Sequence, residues 1–186
     1  MEETLKKELG KDEKLLWKSG PEAFETFDAT YKKHIIRKLV VTCAIVLAVL
    51  IAYIIFAVTK GGGVKIVIVA ILLLVAVCAS LNNLTDASTI RKALYAVTDK
   101  RLIFVGDSVK SVDLNVIGKA AFKKDEAGHY TLLCGSVIDS KPTSWRSLTV
   151  SGPKIDESTN MCERFALYAV PEHEKVQKIL SEYVSF

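Results

Sequence analysis

The sequence predicts a membrane protein in two parts. The first is a transmembrane hairpin of two helices; the second is a mainly-β domain of about seven short strands in two sheets, closed by an amphipathic C-terminal helix. Three observations predict it. Two long apolar runs, residues 39–58 and 64–81, follow one another in the first half of the chain. Beyond residue 90 the chain breaks into short β-forming runs separated by turn residues. From Pro171 the apolar spacing changes to that of a helix.

The apolar runs come first. Residues 39–58 (LVVTCAIVLAVLIAYIIFAV) carry no charge, and residues 64–81 carry only Lys65. A hydrocarbon core about 30 Å thick takes about 20 helical residues at about 1.5 Å each, so either run is long enough to span. A lysine at the end of a span extends to the interface. Residues 59–63 (TKGGG) are expected to form the external turn, since glycine accepts the backbone angles a tight reversal demands. No Gly-x-x-x-x-Gly-Lys-Ser/Thr pattern surrounds them, so a phosphate loop is not predicted. Ala44, Ala48 and Ala52 recur at every fourth position, a stripe of small residues of the kind that lets helices approach closely in lipid.

Orientation follows from charge. Lys32, Lys33, Arg37 and Lys38 precede the first run; Arg91, Lys92, Lys100 and Arg101 follow the second; the connection holds only Lys60 and Lys65. The bias of cytoplasmic flanks toward basic residues predicts a multi-pass protein of the cell membrane with both termini in the cytoplasm. The largely polar residues 1–38 argue against a signal peptide and are expected to form a cytoplasmic N-terminal segment. Within it Leu15, Leu16 and Trp17 are too apolar for a free tail. They are predicted to dock on the β domain or to lie at the membrane interface, where tryptophan is favoured.

The β domain is expected over residues 90–186. Residues 93–98 and 101–105 flank the polar corner Thr98-Asp99-Lys100-Arg101, the pattern of a hairpin. Further strands are expected over 108–114, 118–124, 129–134, 144–150 and 162–170, with a polar stretch from 151 to 160. At the corner, the short side chains of Thr98 and Asp99 suit hydrogen bonds to nearby backbone N–H groups. Arg101 is expected to pair with Asp99 or to cover apolar surface with its stem. In the tail, Val176, Ile179, Leu180, Tyr183 and Val184 form one helical stripe. Pro171 suits the first turn, and Glu172 and Glu174 suit the positive end of the helix dipole.

Tyr95, Val97, Thr98, Asp99, Arg101 and Leu102 follow the pattern Tyr-x-(Leu/Val)-Thr-(Asp/Asn)-x-Arg-(Leu/Ile). With the order of elements, this resembles the bacterial membrane-associated PH-like (pleckstrin-homology-like) domain proteins. Many of these open on an acidic-Leu-Leu-Trp-x-Gly-Pro segment before paired spans; here Glu13 to Pro21 reads EKLLWKSGP, with one extra residue before the glycine. The resemblance implies a PH-like fold marked by Tyr95, Thr98, Asp99 and Arg101, and no catalytic residues. Residues 136–160 match none of its motifs.

Function is less legible than location. Cys43 and Cys78 fall in the apolar runs, and Cys134 and Cys162 lie apart in the tail without a Cys-x-x-Cys motif. Neither a zinc site nor a redox pair is predicted, and free buried thiols are expected in a cytoplasmic domain. His34, His129 and His173 are scattered, and no His-Glu-x-x-His, Gly-x-Ser-x-Gly or paired-carboxylate motif occurs. The chain is therefore expected not to be an enzyme, and neither a cofactor nor nucleic acid is predicted. The expected role is a membrane-anchored module that binds a protein partner or self-associates. The alternative is a sensor of anionic lipid headgroups through Lys100, Arg101 and Lys110. Residues 90–186 carry fourteen Lys/Arg against twelve Asp/Glu, and that small excess favours the first.

Overall fold

The computed structural model describes residues 1–60 and 65–186, the side chains of 76–83 apart. The glycines of the expected external turn, Gly61 to Gly63, lie outside the described residues. The chain opens with the short helix α1 (Glu2–Glu8) and the strand β1 (Leu15–Ser19). Two long helices follow, α2 (Lys32–Thr59) and α3 (Ile66–Arg91). Five strands come next, β2 (Leu94–Thr98), β3 (Arg101–Val105) and β4 (Val109–Asp113) as a meander, then the hairpin β5 (Ala120–Lys124) and β6 (Tyr130–Gly135). The helix α4 (Trp145–Ser151), strands β7 (Lys154–Asp156) and β8 (Met161–Leu167), and the helix α5 (His173–Leu180) complete the chain.

Among the described residues one helix, α2, is long and apolar enough to cross a membrane. In α3 the apolar stretch described is Ile66–Val75, shorter than a span. The helix does not stop near residue 81, where the second apolar run ends; it continues to Arg91. Its last turns are soluble in character and pack into the body, with Ala87 and Ile90 buried. Along α2 the residues shielded from solvent are Ile35, Thr42, Val46, Leu50, Tyr53 and Ala57, a single face at helical spacing. Ala44, Ala48 and Ala52 are exposed on the remaining surface.

The β body has eight strands among the described residues, in two antiparallel four-stranded sheets of order β1-β2-β3-β4 and β5-β6-β8-β7. It therefore includes a strand from residues 1–38, where an accessory segment was expected. Leu15 pairs with Thr98 and Trp17 with Val97, leaving Leu16 as a bulge. The strand expected over 144–150 is instead the helix α4. Trp145, Leu148 and Thr149 are spaced i, i+3, i+4 and share one face of a helix, not of a strand. Pro142 ahead of the helix and Gly152 after it, with φ +79°, are the helix punctuation that decides it. Residues 151–160 were expected to be a connection, and they hold the three-residue edge strand β7.

Three apolar layers hold these elements together. The central one lies between the sheets: Trp17, Tyr95, Val97, Leu102, Phe104 and Val112 from the first meet Leu132, Cys134, Phe165 and Leu167 from the second, and Val176, Leu180 and Val184 close one end. Strand alternation sends the intervening residues outward. On the outer face of the first sheet Ala96, Ile103 and Val105 are covered by Leu5 of α1. On the outer face of the second, Leu133 and Ala166 meet Trp145 of α4, Phe24 and Tyr31 of the linker, Ile35 of α2, and Ala87 and Ile90 of α3. That third layer fastens both long helices to the body. Gly135 is required at the end of β6, where it pairs with Arg164 of β8: its φ is +79°, and an added Cβ would collide with the carbonyl oxygens of Cys162 and Glu163. Cys134 and Cys162 are buried free thiols, and Cys43 is free and exposed on α2.

Candidate functional site

The corner between β2 and β3 anchors the N-terminal segment. Thr98 is fully buried. Its hydroxyl accepts from the N–H of Arg101 at 2.9 Å and of Lys100 at 3.2 Å, and lies 2.7 Å from the Glu13 carboxylate, to which it donates. Asp99 accepts from the backbone N–H of Lys14 at 2.9 Å, while its own N–H donates to the Lys14 carbonyl. Arg101 pairs with Glu13 rather than with the expected Asp99. Its Nε and one terminal nitrogen each lie 2.9 Å from a Glu13 oxygen, and that terminal nitrogen also donates to the Glu8 carbonyl. A guanidinium's fork suits a carboxylate from a distant segment better than one two residues away across a tight turn.

The clamp has a pH signature. Glu13 is 4% exposed at its side chain, and the hydrogen bond from Arg101, helped by the Gly10 N–H and Thr98, holds its carboxyl down to about 2 against a burial cost. A depressed folded value means stability that is present above the unfolded value near 4.5 and is lost as pH falls toward 2. Discounted for solvent screening, the shift corresponds to on the order of 1–2 kcal/mol. Wild type should exceed Glu13→Gln in unfolding midpoint at neutral pH, with the gap closing between pH 4.5 and 2. A gap unchanged across that range would show that Glu13 does not carry the clamp.

The three basic residues of the lipid alternative do not form one cluster. Lys100 and Arg101 are at one end of β3, and Lys110 stands opposite Phe104 toward the other. Lys110 crosses to the second sheet's side, where its ammonium bonds the Val150 carbonyl at the C-terminal end of α4. Gly152 leaves room for its stem, since a Cβ there would lie 2.5 Å from Lys110 Cδ. Lys100 is exposed in a cleft shared with Asp99, Asp113 and Glu182. The corner is also at the far end of β2 from α3, about 15 Å of strand beyond the helix.

A second polar centre, not apparent from the sequence, joins the linker to the body. Arg146 of α4 is 3% exposed. Its guanidinium pairs with Asp28, donates to the carbonyls of Glu25 and Thr26 at 2.9 Å, and reaches the Tyr168 hydroxyl at 3.1 Å. Phe24, Tyr31 and Tyr168 surround it with ring centroids 4.6, 3.7 and 4.9 Å from its central carbon. Tyr31 donates to the Pro142 carbonyl at 2.6 Å and accepts from the Arg146 N–H. Tyr95, singled out as a fold marker, lies beside this centre: its hydroxyl donates to the Tyr168 carbonyl at 2.7 Å. On α3, Arg91 ties to the same linker through the Phe24 carbonyl and Thr26.

Asp28, Asp125 and His129 converge here with ligand atoms within 4.8 Å of one another. Their hydrogen bonds do not suit a metal site. Asp28 accepts from the Tyr31 N–H and from Arg146, and Asp125 accepts from the N–H groups of Ala127 and His129 and from the Tyr168 hydroxyl at 3.0 Å. Every carboxylate oxygen already has a donor, and the guanidinium occupies the place of a cation. Burial pushes the Tyr168 hydroxyl far above the usual tyrosine range, so it remains a donor. The arrangement is a buried joint that fixes the base of α2 against α4 and β8. The sequence offered a weak signal in a lone arginine between Trp145 and Ser147, but none for its partner 118 residues away.

Comparison of the chain with protein-family models, with curated proteins and with solved structures found no match.

Proposed function

We propose that the chain is a membrane-anchored interaction module: a two-helix hairpin spans the cell membrane and holds a PH-like body at its cytoplasmic face, where the body docks a protein partner or a second copy of the chain. The observation that carries this reading is the pairing of β1 with β2. β1 precedes α2 and β2 follows α3, so the chain leaves the body and returns to the same sheet. Strands on opposite sides of a bilayer cannot exchange backbone hydrogen bonds. If α2 crosses, the chain has to return through α3, whose residues 66–83, ahead of the turns packed into the body, reach about 27 Å. The basic residues at the body end of the helices support a cytoplasmic body. Two sheets around one core with an amphipathic C-terminal helix support the PH-like assignment, alongside the Tyr95 to Leu102 pattern.

A non-catalytic role fits the polar centres, which bind segments of the chain to each other and leave no open nucleophile–base pair. For docking, the short edge strand β7 is the suitable surface: Ile155 and the neighbouring Met161 are 37% and 39% exposed, and an edge can accept a further strand. The expected result is that reporters fused before Met1 and after Phe186 both behave as cytoplasmic and a tag at Gly62 as external. A photo-crosslinker at Ile155 should give one discrete adduct in intact cells, at twice the chain mass if the partner is another copy. Protease added outside sealed cells that removed the C-terminal body would overturn the topology. Absence of any adduct at Ile155 would overturn the docking surface.

A further inference from the structure

Most cations near the base of the helices have partners within the chain. Arg91 holds the linker, Arg146 holds Asp28, and Lys110 holds the end of α4. Lys32, Lys33 and Arg37 on the first two turns of α2 do not: among the described residues none forms an ion pair. All three are exposed, and the first turn of α2 contains no acidic residue. They do not serve the helix, because basic side chains are disfavoured at its positive end. With Ala29 and Ile36 they line a shallow groove whose surface is almost wholly carbon, their own stems included. Ile36 is 47% exposed there.

The groove has a defined depth. The uncharged run begins at Leu39, and seven residues of helix from Lys32 cover about 10 Å. A headgroup layer is about 5–8 Å thick on each side of the hydrocarbon core. Arg37 and Ile36 therefore fall within that layer, and Lys32 and Lys33 at its outer surface. The buried joint at Arg146 fixes the groove against the body, because Tyr31 and Ile35, which lie between the groove residues along the chain, are both buried.

We propose that this groove binds one anionic phospholipid, its phosphate on Lys32, Lys33 and Arg37 and its glycerol on Ile36, with the acyl chains running along α2 toward exposed Val40. Carbon lining and unpaired positive charge together match an amphipathic anion better than a free phosphate, which would leave the apolar surface uncovered. The inference rests on the membrane-anchored reading and locates lipid recognition away from Lys100 and Lys110.

The test uses the full chain purified in a mild non-ionic detergent, equilibrated with equal phosphatidylglycerol and phosphatidylcholine, with retained lipids counted by native mass spectrometry. Wild type and K32R/K33R should prefer phosphatidylglycerol by about tenfold or more. K32S/K33S/R37S should show a preference near one, K100S/K110S should match wild type, and R37Q alone should lose part of the preference. R37Q decides the matter if the triple variant fails to reach the wild-type unfolding midpoint. Millimolar glycerol phosphate should not displace the lipid; full displacement would replace the lipid with a soluble anion and overturn the proposal. So would a wild type without preference, or an R37Q variant and a folded triple variant that both keep it. Alkaline carbonate extraction of the cell membranes from which the chain is purified separates the two readings. A wild type that washes off refutes the anchor, whereas one that stays without lipid preference refutes only the lipid site.

Discussion

Arg146→Ala is expected to destabilise the full chain by about 3–5 kcal/mol, the cost of leaving a buried charge without its partner. Asp28, 8% exposed at its side chain, would keep the Tyr31 N–H and lose the guanidinium. The three rings around the guanidinium would face a void, and the carbonyls of Glu25 and Thr26 would lose their donor. The loss should be local in its first stage, because the affected segment is the linker from β1 to α2. Limited proteolysis should then cut within residues 22–31 before the body unfolds, while thermal unfolding in detergent should show a lowered midpoint. Arg146→Lys should recover little, since an ammonium cannot bridge Asp28, two carbonyls and Tyr168 in one plane. A variant with wild-type midpoint and an uncut linker would mean that the joint does not hold the helices to the body.

Trp17→Ala is expected to cost a similar amount, about 3–5 kcal/mol, by the cavity it leaves in the central core. Trp17 is 5% exposed, packs in the layer between the two sheets, and donates from Nε1 to Glu172 at 3.4 Å. Its removal would weaken β1 and, through the β1–β2 pairing, both ends of the hairpin at once. Two readouts check it: the unfolding midpoint, and cleavage of residues 1–19 by added protease. Lys18→Ala on the same strand is the comparison. Lys18 is 41% exposed at its side chain and pairs only with exposed Glu2, so its loss should be within about 0.5 kcal/mol. Equal effects at Trp17 and Lys18 would show that β1 is not part of the core.

The corner combines local and long-range hydrogen bonds. Thr98 and Asp99 were expected to bind nearby backbone N–H groups, and Thr98 does so, to Lys100 and Arg101. Asp99 and Arg101 instead reach residues 85 and 88 positions earlier. The turn chemistry of a residue is visible from its neighbours; the partner of a long charged side chain is not. The strand expected over 144–150 failed for a related reason. Its Trp145, Leu148 and Thr149 are spaced i, i+3, i+4, a helical period that a strand cannot place on one face, and Pro142 and Gly152 outweigh β-branching in so short a segment.

The features legible in the sequence are those whose cause is local. A twenty-residue apolar run without charge makes α2, a polar corner between two β-forming runs makes the β2–β3 hairpin, and an apolar stripe after Pro171 makes α5. Only the tertiary structure decided which segments share a sheet and which charges meet. β1 is five residues of moderate β-propensity that acquire strand form by pairing with β2 some 80 positions later. Arg146 acquires its role by being enclosed with Asp28 and three rings drawn from the linker and β8. Period and turn propensity act over a few residues, whereas burial selects partners across the whole chain, and a buried charge or strand edge takes whichever complement the packed layers bring to it.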